Sequence, residues 1–176
     1  MLPTINGNLA LEQDEKRFLY SIFYWMGRVV SSFELDPRLA GDCVVVGDFP
    51  VCRLLLMNDS QYPWFILVPR IQGVEEIYQL DDAAQQQLLV ESCYLAEMLQ
   101  VLFSAEKINV AALGNVVRQL HVHHVVRYST DPAWPAPVWG RHPTRPYTDE
   151  ALSEVMQKLK KSIADMPSFQ WAETDR

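Results

Sequence analysis

The 176-residue chain is 49% apolar and 21% charged, ordinary proportions for one globular domain and too short for two comfortable ones. Its 22 acidic and 15 basic residues leave a net charge of −7. That excludes sequence-independent binding to nucleic acid polymers, which needs a basic surface, but it leaves open a single nucleotide held by a few local groups.

The N-terminus has no basic segment followed by an apolar one, so it does not read as a secretory signal. Residues 1–10 read as a loose lead. Leu11 to Val30 is predicted to be helical, with Phe18, Ile22, Phe23, Met26, Val29 and Val30 at three-to-four spacing. The apolar run from Phe18 to Gly27 is half the roughly 20 residues a membrane span requires, so no membrane association is expected. Pro37 and Gly41 punctuate the next stretch, and CVVVGDFP reads as a short strand ending in a turn. VCRLLLMN and WFILVP are compact apolar runs separated by DSQYP, whose Asp59, Ser60 and Pro63 favour a turn; the pair reads as a hairpin.

After Asp81 the period changes. Ala84, Leu88, Leu95, Leu99 and Leu102 form one stripe of a long helix, and Asp81 or Asp82 can cap its N-terminus. KINVAALG and QLHVHHVV read as a second strand pair connected through Gly114-Asn115, a dipeptide suited to positive φ. STDPAWPAPVWGRHPTRP carries five prolines and two tryptophans and reads as a long irregular segment, a kind that is often functional. A last helix begins near Thr148 and buries Leu152, Val155, Met156, Leu159 and Ile163. The expected class is α+β, with a mostly antiparallel sheet of about five strands, one long helix and a C-terminal helix.

Three of the four histidines lie in one strand-like stretch, at 121, 123 and 124. Side chains alternate along a strand, so Gln119, His121 and His123 share one face, about 7 Å apart, while Leu120, Val122 and His124 share the core face. Such a row can serve nucleophilic or acid–base catalysis. With His142 from the irregular segment it can serve as a metal site, and it can simply be packed. Spacing alone does not choose among these. Cys43, Cys52 and Cys93 form no CxxC pair, which removes zinc-knuckle readings and favours reduced thiols in a cytoplasmic setting. Glycines are spread singly, so no phosphate-binding P-loop or GxGxxG turn competes.

The run from Gly114 to Val126 resembles the histidine triad (HIT) family of nucleotide hydrolases and transferases, whose hallmark is three histidines alternating with apolar residues on a strand. LLLMNDSQYPWFILVPR is similar to that family's hairpin, and the resemblance extends from about Phe33 to Gly140. It implies a HIT-like domain over residues 33–147, an N-terminal extension over 1–32, and a C-terminal helix and tail over 148–176 packed on the same domain. It further implies that His121 attacks the α-phosphorus of a nucleoside phosphate ester, anhydride or phosphoramidate to form a nucleotidyl-histidine. His123 would contact a phosphate oxygen and the departing group. Asn58, Asn115 and Gln119 would bind ribose or phosphate, and Phe33, Leu56 and Ile66 would line a base pocket. No metal or other cofactor is implied, the partner is a small-molecule nucleotide, and the family's usual assembly implies a homodimer. Two departures stand out. Gln119 occupies the first triad position, and Trp64 stands where many members have a further histidine, which leaves nucleotide binding without chemistry as the alternative.

Overall fold

The computed structural model describes residues 33–163 and 168–172, so the expected helix over 11–30 lies outside the described residues. The described chain runs α1 (Pro37–Asp42), β1 (Cys43–Asp48), β2 (Cys52–Met57), β3 (Trp64–Pro69), α2 (Asp82–Phe103), β4 (Lys107–Ala111), β5 (Val122–Arg127), α3 (Asp149–Ile163) and β6 (Gln170–Trp171). The strands form one antiparallel sheet in the order β4-β5-β3-β2-β1-β6. The α+β class and the antiparallel sheet agree with the sequence reading. The sheet has six strands rather than about five, because the two-residue β6 is too short to leave a periodic signal. It exists only by pairing Gly47 with Trp171 and Asp48 with Gln170.

Local chemistry explains the element boundaries. Asp36 caps α1 by accepting from the Arg38 N–H, and Pro37 occupies the first helical turn, where its missing N–H costs nothing. Asp81 caps α2 through the Ala84 N–H at 2.8 Å, and the helix ends at Ser104 in the left-handed region with φ of 50°. Thr148 accepts from the Ala151 N–H at the start of α3. Between β4 and β5, Gly114 takes φ of 69°, the conformation expected of it.

The two sheet faces are different. One buries Leu54, Leu56, Phe65, Leu67, Val122 and Val126 beneath α2 and α3, which contribute Ala84, Leu88, Leu95, Leu99, Leu159 and Ile163. Each fully buried side chain of this kind contributes on the order of 1.5–3 kcal/mol. Glu91 interrupts the apolar stripe of α2 yet is wholly buried. Its carboxylate accepts from the Val51 and Cys52 N–H groups, both at 2.9 Å, and from the Gln87 amide at 3.1 Å. It therefore ties the long helix to the β1–β2 turn. The other face gathers Leu39, Leu55, Tyr62, Trp64, Ile66, Val125 and Val138 under α1 and the proline-rich segment, with no long helix above it among the described residues. Among the described residues no helix is long and apolar enough to cross a membrane.

Candidate active site

β5 lies between β4 and β3, hydrogen-bonded on both sides, so its backbone is a rigid platform. His123 is opposite Ile66 and His124 is opposite Phe65. Directly opposed residues share a face, so alternation sends His123 to the open side and His124 beneath the helices. His124 is fully buried there, with Nδ1 donating to the Val122 carbonyl at 3.2 Å and Nε2 accepting from the Ser92 hydroxyl at 2.7 Å. Burial pushes its imidazole down to about 4. It is a satisfied core histidine.

His121 and His123 line a cavity of about 500 Å³ on the open face, a size suited to a small organic ligand. Their rings meet nearly edge-on, with centroids 4.8 Å apart and planes at 80°. His121 Nδ1 lies 2.7 Å from the Gln119 carbonyl. A carbonyl can only accept, so Nδ1 carries the proton and Nε2 keeps its lone pair. At His123 the arrangement is reversed: the Trp64 indole N–H donates to Nδ1 at 3.0 Å, so the neutral ring carries its proton on Nε2. Burial, with His121 and His124 nearby, pushes His123 down to about 3, so it is neutral at ordinary pH. Two adjacent rings thus present opposite functions, a bare nitrogen on one and an N–H donor on the other.

Leu39, Met57 and Ile66, the last directly opposite His123, supply apolar wall to the cavity, and residues 114–117 line it as well. Asn115 lines it, and among the described residues its side-chain amide makes no hydrogen bond. Trp139 closes the wall beside the histidines, 5.4 Å from the His123 ring and 5.7 Å from Trp64. No periodicity in the proline-rich stretch could have placed Trp139 there.

A buried ion pair holds that wall. Arg127, 1% exposed at the end of β5, donates through Nε and Nη2 to Asp131, through Nη1 to the Asn109 side chain at 2.6 Å, and through Nη2 to the Ala136 carbonyl. Asp131 in turn accepts from the Ala133 N–H. One guanidinium therefore shapes residues 131–136 into a fixed arch.

The remaining expected site residues fall in different places. Gln119 precedes β5, and its side chain turns toward the N-terminal side, accepting from the Asp36 N–H and donating to the Glu34 carbonyl. It reaches the site only through its backbone carbonyl on His121. Asn58 accepts from the Tyr147 N–H at 2.9 Å and so straps the segment before α3 to the β2–β3 turn. The neighbouring Asp59 lines the cavity. Leu56 is opposite Phe65 and is buried on the helix face, whereas Leu55, opposite Ile66, points to the cavity side. A single register step separates the expected residue from the one on the correct face. Phe33 packs on the cavity-side cluster and lies 5.4 Å from the Arg53 guanidinium. His142 lines the cavity with Nε2 donating to the Pro132 carbonyl at 3.1 Å. The described residues contain no group of three His, Cys, Asp or Glu that could hold a metal ion, so the His121/His123/His142 metal reading has no ligand set.

The HIT domain family model matches residues 38–130, which span β1 to β5 and both histidines. The chain belongs to the HIT family. A histidine triad protein from Marinobacter aquaeolei VT8 is 51% identical, with a TM-score of 0.75 over 77% of this chain and 99% of the other. One from Sinorhizobium meliloti 1021 is 40% identical, with a TM-score of 0.73 over 74% and 97%. One from Bradyrhizobium japonicum is 37% identical, with a TM-score of 0.74 over 76% and 99%. No match was found among curated proteins. This HIT chain therefore shares its fold over nearly the whole length of these relatives.

Proposed function

We propose that this HIT protein is a nucleotide hydrolase or nucleotidyl transferase that works through a covalent intermediate on His121. The carrying observation is the pair of opposed tautomers at the cavity wall, fixed by Gln119 O on one ring and Trp64 Nε1 on the other. The Nε2 lone pair of His121 attacks the α-phosphorus; a P–N bond to His121 forms as the bond to the leaving group breaks (P–O in an ester or anhydride, P–N in a phosphoramidate), and the leaving group takes its proton from solvent. The nucleotidylated ring is cationic, and the Gln119 carbonyl, still accepting from Nδ1–H, stabilises it. His123, neutral and carrying Nε2–H, donates to a phosphoryl oxygen as charge builds there. Water or another acceptor then attacks phosphorus and gives up its proton to solvent, the P–N bond to His121 breaks, and the neutral imidazole returns. Covalent capture divides one difficult displacement into two.

Base and ribose would pack on the apolar wall that Leu39, Met57 and Ile66 supply, and Asn115 would contact phosphate. Cys43, Cys52 and Cys93 are free thiols, in keeping with a reducing, cytoplasmic setting. β4 forms one edge of the sheet and exposes Val110 at 49%, which supports pairing with a second copy as a homodimer.

The test is adduct formation. Incubation with an adenylyl ester, adenylyl phosphoramidate or dinucleoside polyphosphate, followed by rapid quench, should yield a protein heavier by one nucleotidyl group, and His121→Ala should not label. Tight nucleotide binding with neither adduct nor turnover would instead assign the protein to non-catalytic nucleotide binding, the alternative that Trp64 and Gln119 keep in view.

A further inference from the structure

Asp59 is 2% exposed, yet it lines the cavity, and its two carboxylate oxygens are used differently. Oδ1 accepts three hydrogen bonds, from the Gln61 N–H at 3.1 Å, the Gln61 side-chain amide at 3.0 Å and the Arg145 N–H at 3.3 Å. Oδ2 accepts none among the described residues. The sealed side-chain polar atoms that lack a partner there belong to Tyr62, Arg70, Trp139 and Ser168, so Oδ2 is not shut in and has the cavity before it. Three donors on Oδ1 hold the group in place, so Oδ2 keeps one direction. A carboxylate oxygen only accepts, and it repels phosphate oxygens, so the ligand group that meets it carries an N–H or O–H.

The strand register sets Asp59 far from the nucleophile. β2 and β5 run parallel on either side of β3, and Leu55, Ile66 and His123 stand in one row. His121 is two residues behind that row and Met57 two residues ahead of it, about 13 Å apart along the strands, with Asp59 beyond Met57. A nucleotide whose α-phosphorus lies at His121 and whose base packs on Ile66 and Met57 spans a length of that order, so its base edge arrives at Asp59. Arg38 and Asp42 also line the cavity, but they pair with each other at 3.5 Å from largely exposed positions, a contact that water weakens. We propose that Asp59 Oδ2 accepts a hydrogen bond from the exocyclic amino group of a 6-aminopurine, and that this contact selects adenine nucleotides over 6-oxopurines. This rests on the nucleotide reading above. A 6-oxopurine places a carbonyl oxygen where the amino group was, acceptor against acceptor, and a site built to hydrogen-bond one group rejects the analogue that lacks it.

The experiment measures the affinity of the full chain for AMP, IMP, 2′-deoxy-AMP and inorganic phosphate by calorimetry. The wild type should bind AMP about 10- to 100-fold more tightly than IMP, the range of one hydrogen bond to a charged group. Asp59→Asn has the same shape: its Oδ1 keeps the three donors, and Nδ2 presents an N–H where Oδ2 stood. Its preference should turn toward IMP, with phosphate affinity within about 2-fold of wild type. Equal wild-type affinities for AMP and IMP overturn the proposal whether or not the variant folds, and so does an unchanged ratio in a folded Asp59→Asn protein; in both cases the nucleotide reading stands. A wild-type preference for AMP over 2′-deoxy-AMP that Asp59→Asn removes would put the carboxylate on the ribose, and also overturns it. A wild-type chain that binds none of the four overturns both.

Discussion

Trp64 and His123 stand on neighbouring strands, two residues out of direct register and so on one face of the sheet, and the indole of the first fixes the tautomer of the second across 3.0 Å. At the position where many HIT members carry a further histidine, an obligate donor takes over the orienting role. An indole can only donate, so it leaves His123 one neutral form. The departure that the sequence raised as a threat to catalysis is thus a device for holding the ring.

Trp64→Phe should release that constraint. The ¹⁵N shifts of His123 should change from an Nε2–H pattern to a mixture of tautomers, with His121 remaining Nδ1–H. Turnover should fall about 10-fold or more, within the range that proton-positioning groups contribute, while the circular dichroism spectrum is retained. An unchanged tautomer would show that the Trp64 contact does not set it.

The depressed histidines predict acid sensitivity. In the folded protein His123 and His124 stay neutral down to about 3 and about 4, whereas in the unfolded chain each takes a proton near 6.5. Their contribution is complete above about 6.5 and is lost as pH falls through that window, by up to about 1.4 kcal/mol per pH unit for each ring. Between pH 7 and pH 5 the Tm should fall by about 10 °C. Burial raises the Glu91 carboxyl, whose linkage runs the other way, so the informative comparison is with His124→Asn, which should flatten the fall. Equal slopes for the two proteins would contradict it.

Arg127→Met leaves Asp131 buried without its partner and releases the Ala136 carbonyl. Removing one member of a buried pair costs about 3–5 kcal/mol, so Tm should drop by about 10 °C, and the double change Arg127→Met with Asp131→Leu should recover part of it. Because the same guanidinium shapes the arch before Trp139, AMP affinity should fall in the single variant. Full affinity in a folded Arg127→Met protein would separate the arch from the site.

Gly47 has a different constraint. A Cβ there would meet the Gln170 carbonyl and the Phe169 ring atoms at 2.7 Å, so Gly47→Ala must displace β6. A loss of about 1–3 kcal/mol and faster chymotryptic cleavage after Phe169 or Trp171 are expected. Gly41→Ala, where the added carbon meets nothing within 4 Å, should behave as wild type.

Regular elements were legible because their signals are local. The hairpin of β2 and β3, the long α2 and the α3 start follow from turn residues, caps and apolar period. β6 was not legible, since two residues carry no period and the strand depends on Gly47 opposite it. Within the site, alternation correctly paired His121 with His123 and set His124 apart, but it could not give the β2–β3 register, so Leu56 was expected where Leu55 points. Gln119 was placed on the same row because the strand was read as starting three residues early; its side chain belongs to the Glu34–Asp36 segment. Asn58, expected from the resemblance to contact ribose or phosphate, also straps the Tyr147 N–H through its carbonyl oxygen, a tertiary contact the sequence did not signal. Trp139 depends on the Arg127–Asp131 pairing, a tertiary contact that no sequence window contains.

The side-by-side imidazoles at 123 and 124 divide labour along a single strand, one turned to the cavity and its neighbour hydrogen-bonded to Ser92 beneath α2. Parity along the chain therefore separates what a substitution does. Changes at 121 and 123 can redraw substrate choice while the helix-covered layer stays intact, and changes at 122, 124 and 126 will be felt first as a loss of foldedness. A mutational scan of this strand should consequently sort into two interleaved classes that alternate residue by residue.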